Sequence, residues 1–131
     1  MDGLFAALAT PIDAGGRVDL TTYDRLVEFL LAAGVDGVVA GGATGEYPHF
    51  QMRERAELVR RAAGRLPRNR RLVAGIGGAS MRRVVKLGRM AIDAGAEALL
   101  LPAPLPGCLR EKAKAEGIHS AFAPDTLSNG G

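Results

Sequence analysis

The chain reads as an α/β protein built on a parallel sheet, and three observations carry that reading. Short apolar runs alternate with stretches of helical period, in the order strand, helix, strand, helix. The strand-like runs are apolar at successive positions, so both faces must be covered, which is the pattern of parallel strands packed under helices. A weak internal echo sets the register: "AGVDGVV" from Ala33 and "AGAEALL" from Ala94 are similar and stand two strand–helix units apart. Two architectures fit these observations, a doubly wound open sheet and a piece of a (β/α)8 barrel.

Each element has its own local signals. Leu4 to Ala9 is an apolar run ended by Thr10-Pro11, a strand followed by a turn. Asp19 can cap a helix from Leu20 to Ala33, where Tyr23, Leu26, Val27 and Leu30 fall at i, i+3, i+4 and i+7 and Gly34 provides a left-handed stop. Val38 to Ala40 is the second strand. Met52, Ala56, Val59 and Ala63 form the apolar stripe of a second helix that ends before Pro67. Leu72 to Ile76 is the third strand. Ser80 then caps a helix from Met81 to Ala94 with Val84, Leu87, Gly88 and Ala91 on one face, and Ala98 to Leu101 is the fourth strand.

Composition narrows the functional classes. The 131 residues suit one domain with a real core, and no apolar run approaches the ~18 residues that cross a bilayer. The start carries Asp2 where a secretory signal carries basic residues. The single cysteine, Cys108, allows no intramolecular disulfide, in keeping with a cytoplasmic location. The net charge of +3 is mild, and the arginines between Arg53 and Arg83 interleave with Glu54, Glu57 and apolar positions as on a solvated helix face. No nucleic-acid motif or aromatic platform accompanies them, so neither nucleic acid nor membrane is an expected partner.

The glycine-rich turns are where chemistry concentrates. "GGATGEYPHF", from Gly41, follows the second strand and contains no lysine, so it is not a nucleotide P-loop. "GIGGAS", from Gly75 to Ser80, follows a strand and opens a helix but has serine at the third glycine position of a dinucleotide fingerprint, and its nearest acid, Glu97, precedes the next strand. His49, Cys108 and His119 are not spaced for a shared metal site. No cofactor is expected. The segment Gly42-Ala43-Thr44-Gly45-Glu46 is the sharper signal, because its glycines let the amides of Ala43 and Thr44 point at one small anion and the Thr44 hydroxyl adds a donor. A carboxylate fits such a loop. So does a tight strand-to-helix turn in which Glu46 binds backbone N–H groups and nothing else is held.

Four segments in register resemble one family. "ALATPID" with "GRVD", "AGVDGVVAGGATGE", "LVAGIGG" and "DAGAEALLLPAP" are similar, in order and spacing, to the N-terminal part of the dihydrodipicolinate synthase and N-acetylneuraminate lyase family, from about Leu4 to Pro104. The resemblance implies the first half of a (β/α)8 TIM barrel, truncated after the fourth strand. It implies a homo-oligomeric enzyme that forms a Schiff base between a lysine and pyruvate or a related 2-keto acid. On that resemblance Thr44 binds the keto acid's carboxylate, Ala43 contributes its amide, and Gly42, Gly45 and Glu46 shape the loop.

The departures from the family pattern are as informative. Ala43 stands where synthases and neuraminate lyases carry a hydroxyl residue of a proton relay, and Leu105-Pro106 stands where synthases often have a tyrosine pair. The family's tyrosine and Schiff-base lysine lie beyond the resembling region. Of the three lysines, Lys86 is expected on the outside of the third helix, and Lys112 and Lys114 lie in polar sequence without the apolar pocket that lowers an amine's pKa. The texture changes near Pro106, which divides the chain into a barrel part, 1–106, and a poorly ordered tail, 107–131, as a frameshifted or truncated gene would. The alternative to a lyase is a non-catalytic half-barrel that pairs with itself or another chain.

Overall fold

A computed structural model describes residues 3–42, 50–78 and 80–101. Within them the elements run β1 (Phe5–Ala7), α1 (Leu20–Ala32), β2 (Gly37–Ala40), α2 (Met52–Arg65), β3 (Arg71–Gly75), α3 (Met81–Ala94) and β4 (Ala98–Leu100). The expected elements are all present in the expected order. All neighbouring strands are parallel and the sheet order is β1-β2-β3-β4, so each strand lies beside its successor in sequence. A doubly wound sheet reverses strand order at a switch point, where its nucleotide crevice forms. No reversal occurs among the described strands, which decides between the two architectures: the chain is part of a (β/α)8 barrel.

Helix ends follow their capping residues. The Asp19 carboxylate accepts the Thr22 amide at 3.0 Å and the Thr22 hydroxyl at 2.7 Å. The amide bond of Thr22, foremost, lowers the Asp19 pKa. Ser80 accepts the Arg83 amide at 3.3 Å at the start of α3, and α3 stops at Gly95 in the left-handed region, φ +116°. On α2 the Gln51 amide donates to Glu54 at 3.1 Å, one half of a capping box.

Strand alternation separates two faces. Val38, Ala40, Leu72, Ala74, Ile76, Leu99 and Leu101 pack in one cluster with Tyr23 and Val27 of α1, Leu58, Val59 and Ala62 of α2, and Val84, Leu87 and Ala91 of α3. Val39 and Val73, paired across β2 and β3, are buried on the opposite face, the barrel interior. Burying each of these Val and Leu side chains is worth roughly 1.5–3 kcal/mol, so the helix-facing layer is the main source of stability.

Three details differ from the sequence reading. The first strand is shorter than Leu4 to Ala9: Leu4 is exposed and tied by its amide to the Asp36 carboxylate at 2.7 Å, while beyond Ala7 the bond from the Leu8 amide to the Val39 carbonyl at 2.9 Å continues the pairing. The buried arc of α2 is wider than its predicted stripe. It takes in Arg55, Leu58 and Ala62, while Met52 and Ala63 are only partly buried, because α2 packs between α1 and α3 as well as on the sheet. The arginines of α2 are not simply a solvated face.

Two of them close the seam between α1 and α2. Arg61 and Arg65 both pair with Asp24, whose side chain is 9% exposed, and Arg65 also pairs with Glu28. Burial pushes the Asp24 carboxyl up, but hydrogen bonds from Arg61 and Arg65 outweigh it and hold the group below its ordinary value. Nearby, the Tyr23 hydroxyl donates to the Leu58 carbonyl at 3.1 Å, and burial raises the pKa of that phenol. Asp24→Asn is expected to destabilise the chain by about 1–2 kcal/mol in urea at pH 7. That is less than the ~3–5 kcal/mol for breaking a fully buried pair, because the arginine partners are 35% and 38% exposed. A depressed carboxyl stabilises above the unfolded-state value of ~3.9 and loses its contribution as pH falls through the lower folded value. The gap between wild type and Asp24→Asn should therefore stay constant from neutral pH to about 4 and close only below it.

Candidate functional site

Parallel barrel strands present their C-terminal ends on one side, and the turns that leave β2 and β3 meet there. Gly41, the first residue after β2, has φ +70°, a left-handed conformation that turns the chain out of the strand. Gly75 ends β3 beside it. A Cβ at Gly75 would stand 2.5 Å from the Gly41 carbonyl oxygen and 2.8 Å from the Gly42 Cα, distances that no side chain tolerates. Gly42 is buried, and among the described residues a Cβ there would meet Val39 Cγ1 at 3.5 Å, an ordinary contact. Close packing of two backbones is thus required at Gly75 and turn geometry at Gly41.

Of the site residues expected from sequence, Gly42 is the one whose position is described. Ala43, Thr44, Gly45 and Glu46 lie outside the described residues, as do His49, Lys112 and Lys114. Lys86 is exposed on the outer face of α3. Grooves of about 590 and 550 Å³ also lie on helix faces, one along α3 and one beside α2. Among the described residues no group of three His, Cys, Asp or Glu side chains is placed to hold a metal ion, and no helix is long and apolar enough to cross a membrane.

The structure adds a residue that the sequence reading missed. Arg55, 5% exposed, reaches from α2 under the two turns: its Nη1 donates to the Gly77 carbonyl at 2.5 Å and its Nη2 to the Gly75 carbonyl at 2.9 Å. In the sequence it is one arginine in the charged run Arg53-Glu54-Arg55, and no local signal separates it from its solvated neighbours.

Replacing Gly75 by alanine is expected to push Gly41 and Gly42 away from β3. Amide chemical shifts should change most at Gly41, Gly42 and Ile76 and little in α1, with a loss of about 1–3 kcal/mol in urea, the usual cost of overpacking. Shifts confined to β3 itself would contradict the close approach.

The pattern of the dihydrodipicolinate synthetase family matches residues 1–118, so the likeness continues past the change of texture at Pro106. A 4-hydroxy-tetrahydrodipicolinate synthase from Pseudomonas syringae pv. syringae is 38% identical over an alignment of 125 residues that covers 92% of this chain and 40% of that protein. The crystal structure of dihydrodipicolinate synthase from Aquifex aeolicus superposes with a TM-score of 0.79 at 29% identity, covering 88% of this chain and 41% of that one. A prophage protein of the dihydrodipicolinic acid synthase family from E. coli K12, in complex with pyruvate, gives a TM-score of 0.77 at 25% identity, covering 87% of this chain and 40% of that one. The chain spans about 40% of the length of the curated relatives it matches. With its four sequential parallel strands, it belongs to the dihydrodipicolinate synthetase family and corresponds to the N-terminal half of that family's (β/α)8 barrel.

Proposed function

We propose that this chain carries the substrate-carboxylate part of a cytoplasmic lyase or aldolase that forms a Schiff base with pyruvate or a related 2-keto acid. The observation that supports this most is the packing of Gly41 and Gly42 on Gly75 at the C-terminal ends of the strands, where (β/α)8 enzymes assemble their sites. The segment that continues from Gly42 supplies the donors. Thr44 binds the carboxylate through its hydroxyl, Ala43 contributes its amide, Gly45 leaves room for the backbone, and Glu46 holds the loop's shape.

A carboxylate held in this way leaves the adjacent ketone aimed at an amine. Attack by the amine and loss of water give an iminium, which accepts the electron pair and becomes an enamine when the bond from the neighbouring carbon to the aldehyde carbon breaks; in the forming direction that carbon first loses a proton, and the resulting enamine donates the pair to the aldehyde carbon. In this proposal the amine and the tyrosine that assists it are not among the chain's own residues. Lys86 is exposed on α3, outside the turns that follow β2 and β3. Ala43 cannot relay a proton, which favours a sugar-acid aldolase or dehydratase over a synthase or a neuraminate lyase.

Calorimetric titration with pyruvate tests the loop, and borohydride treatment tests the lysine. Binding should weaken about tenfold or more in Thr44→Val, the loss of a hydrogen bond to a charged group worth roughly 1.5–3 kcal/mol. Borohydride with pyruvate should leave the intact mass unchanged. An adduct on Lys86, Lys112 or Lys114 would place the nucleophile in this chain after all, and binding indifferent to Thr44→Val would remove the loop from the site.

A second reading, a non-catalytic half-barrel that self-associates, is favoured by the sheet edges. Among the described residues β1 and β4 each pair on one side only, and an open parallel edge is a template for another strand. Two copies about a two-fold axis would set β4 of each beside β1 of the other and close eight strands. Sedimentation at micromolar concentration should then show twice the chain mass; a stable monomer would count against this reading.

A further inference from the structure

Residues 43–49 join two described pieces, the Gly41-Gly42 turn after β2 and the start of α2. One of those pieces is held by Gly75 through backbone contact. The other is held to the same residue by Arg55, whose guanidinium spans the carbonyls of Gly75 and Gly77 at 2.9 and 2.5 Å. Both flanks of the segment are therefore referenced to one peptide group at the end of β3.

Burying a guanidinium is an expensive way to fill space. An apolar side chain of similar volume would stabilise α2 on the sheet at least as well, since a cation taken from water must recover its hydration through hydrogen bonds. What an apolar side chain lacks is a planar fork that sets two acceptors at fixed separation. Gly75 and Gly77 sit on either side of the strand-to-turn transition after β3, so a fork bonded to both fixes the path of that turn and the seat of α2 together.

We propose that Arg55 is a positioning residue for the keto-acid site: its fork locks the β3 exit turn and the first turns of α2 in the arrangement that holds the two flanks of the substrate-carboxylate segment in place. The inference rests on the keto-acid function proposed above. Arg55 touches no substrate in this account and acts through Gly75, Gly77 and α2.

The test uses the full chain with Arg55→Met, which keeps length and loses the fork, and Arg55→Lys, which keeps the charge and cannot span two carbonyls. Arg60→Met is the control, because Arg60 is exposed and, among the described residues, pairs along the helix with Glu57 at 2.5 Å. Amide exchange is followed by NMR at Ile76, which donates to Leu100, with Val27 of α1 as reference. Pyruvate affinity is measured on the same samples. Both Arg55 variants should exchange at least tenfold faster at Ile76 with less than twofold change at Val27, and should bind pyruvate at least tenfold more weakly, while Arg60→Met matches wild type.

Equal acceleration at Val27 would reduce Arg55 to a general stabiliser and overturn the proposal. Arg55→Lys behaving as wild type would overturn the fork, and unchanged pyruvate affinity with faster local exchange would separate the clamp from the site. Wild-type protein that binds no pyruvate would remove the keto-acid function itself, a result distinct from wild-type binding that survives Arg55→Met.

Discussion

The architecture turns on the contact between two main chains at the end of the sheet, Gly75 of β3 against Gly41 and Gly42 after β2. With a Cβ only 2.5 Å from a carbonyl oxygen, no residue but glycine leaves the turns where they are. That contact brings the two glycine-rich segments of the sequence to one place, and the parallel register puts the place at the C-terminal ends of the strands. Arg55 adds a second tie to the same residue from the outer layer. A strand end, a turn and a helix thus share one peptide group as their reference.

Around that point the energetics divide by layer. Apart from the Arg55 fork, the described contacts between sheet and helices are apolar and non-directional. Along the α1/α2 seam they are ionic, with Asp24 receiving both Arg61 and Arg65. The half-exposed arginines keep part of their hydration, which is why this seam contributes less than its number of ion pairs suggests. Helix-to-strand connections repeat a simple device. After α1 the chain passes through Gly34-Val35-Asp36 and after α3 through Gly95-Ala96-Glu97, and Arg71 on the intervening strand bonds to both, by its amide to the Asp36 carbonyl and by its side chain to Glu97 at 2.6 Å.

Much of this was legible in the sequence. The helices were marked by caps at Asp19 and Ser80 and by apolar spacing, and α3 has the predicted span because its stripe and both end signals agree. The choice between barrel and doubly wound sheet was not legible from periodicity, since both alternate strands and helices; strand order decides it, and order is a property of tertiary pairing. The breadth of α2's buried arc was hidden for a similar reason. A helix with neighbours on both flanks buries residues off its main stripe, so Arg55 and Leu58 are covered although their sequence neighbours are charged. At the site, the glycines announced a close approach, but the partner of that approach is a second glycine segment distant in sequence. Ala43, Thr44, Gly45 and Glu46, whose roles rest on resemblance, lie outside the described residues.

The central claim, that the turns after β2 and β3 are joined backbone to backbone at Gly75, is open to one direct measurement. In a labelled sample of the chain, the nuclear Overhauser effect between the Hα protons of Gly42 and Gly75 reports that distance alone. A strong cross-peak is predicted, because the Gly42 Cα lies 2.8 Å from the point where a Gly75 Cβ would stand. Its absence, with the β2–β3 ladder peaks between Val39 and Val73 present, would mean that the sheet forms without bringing the two turns together, and the account of the site would fail.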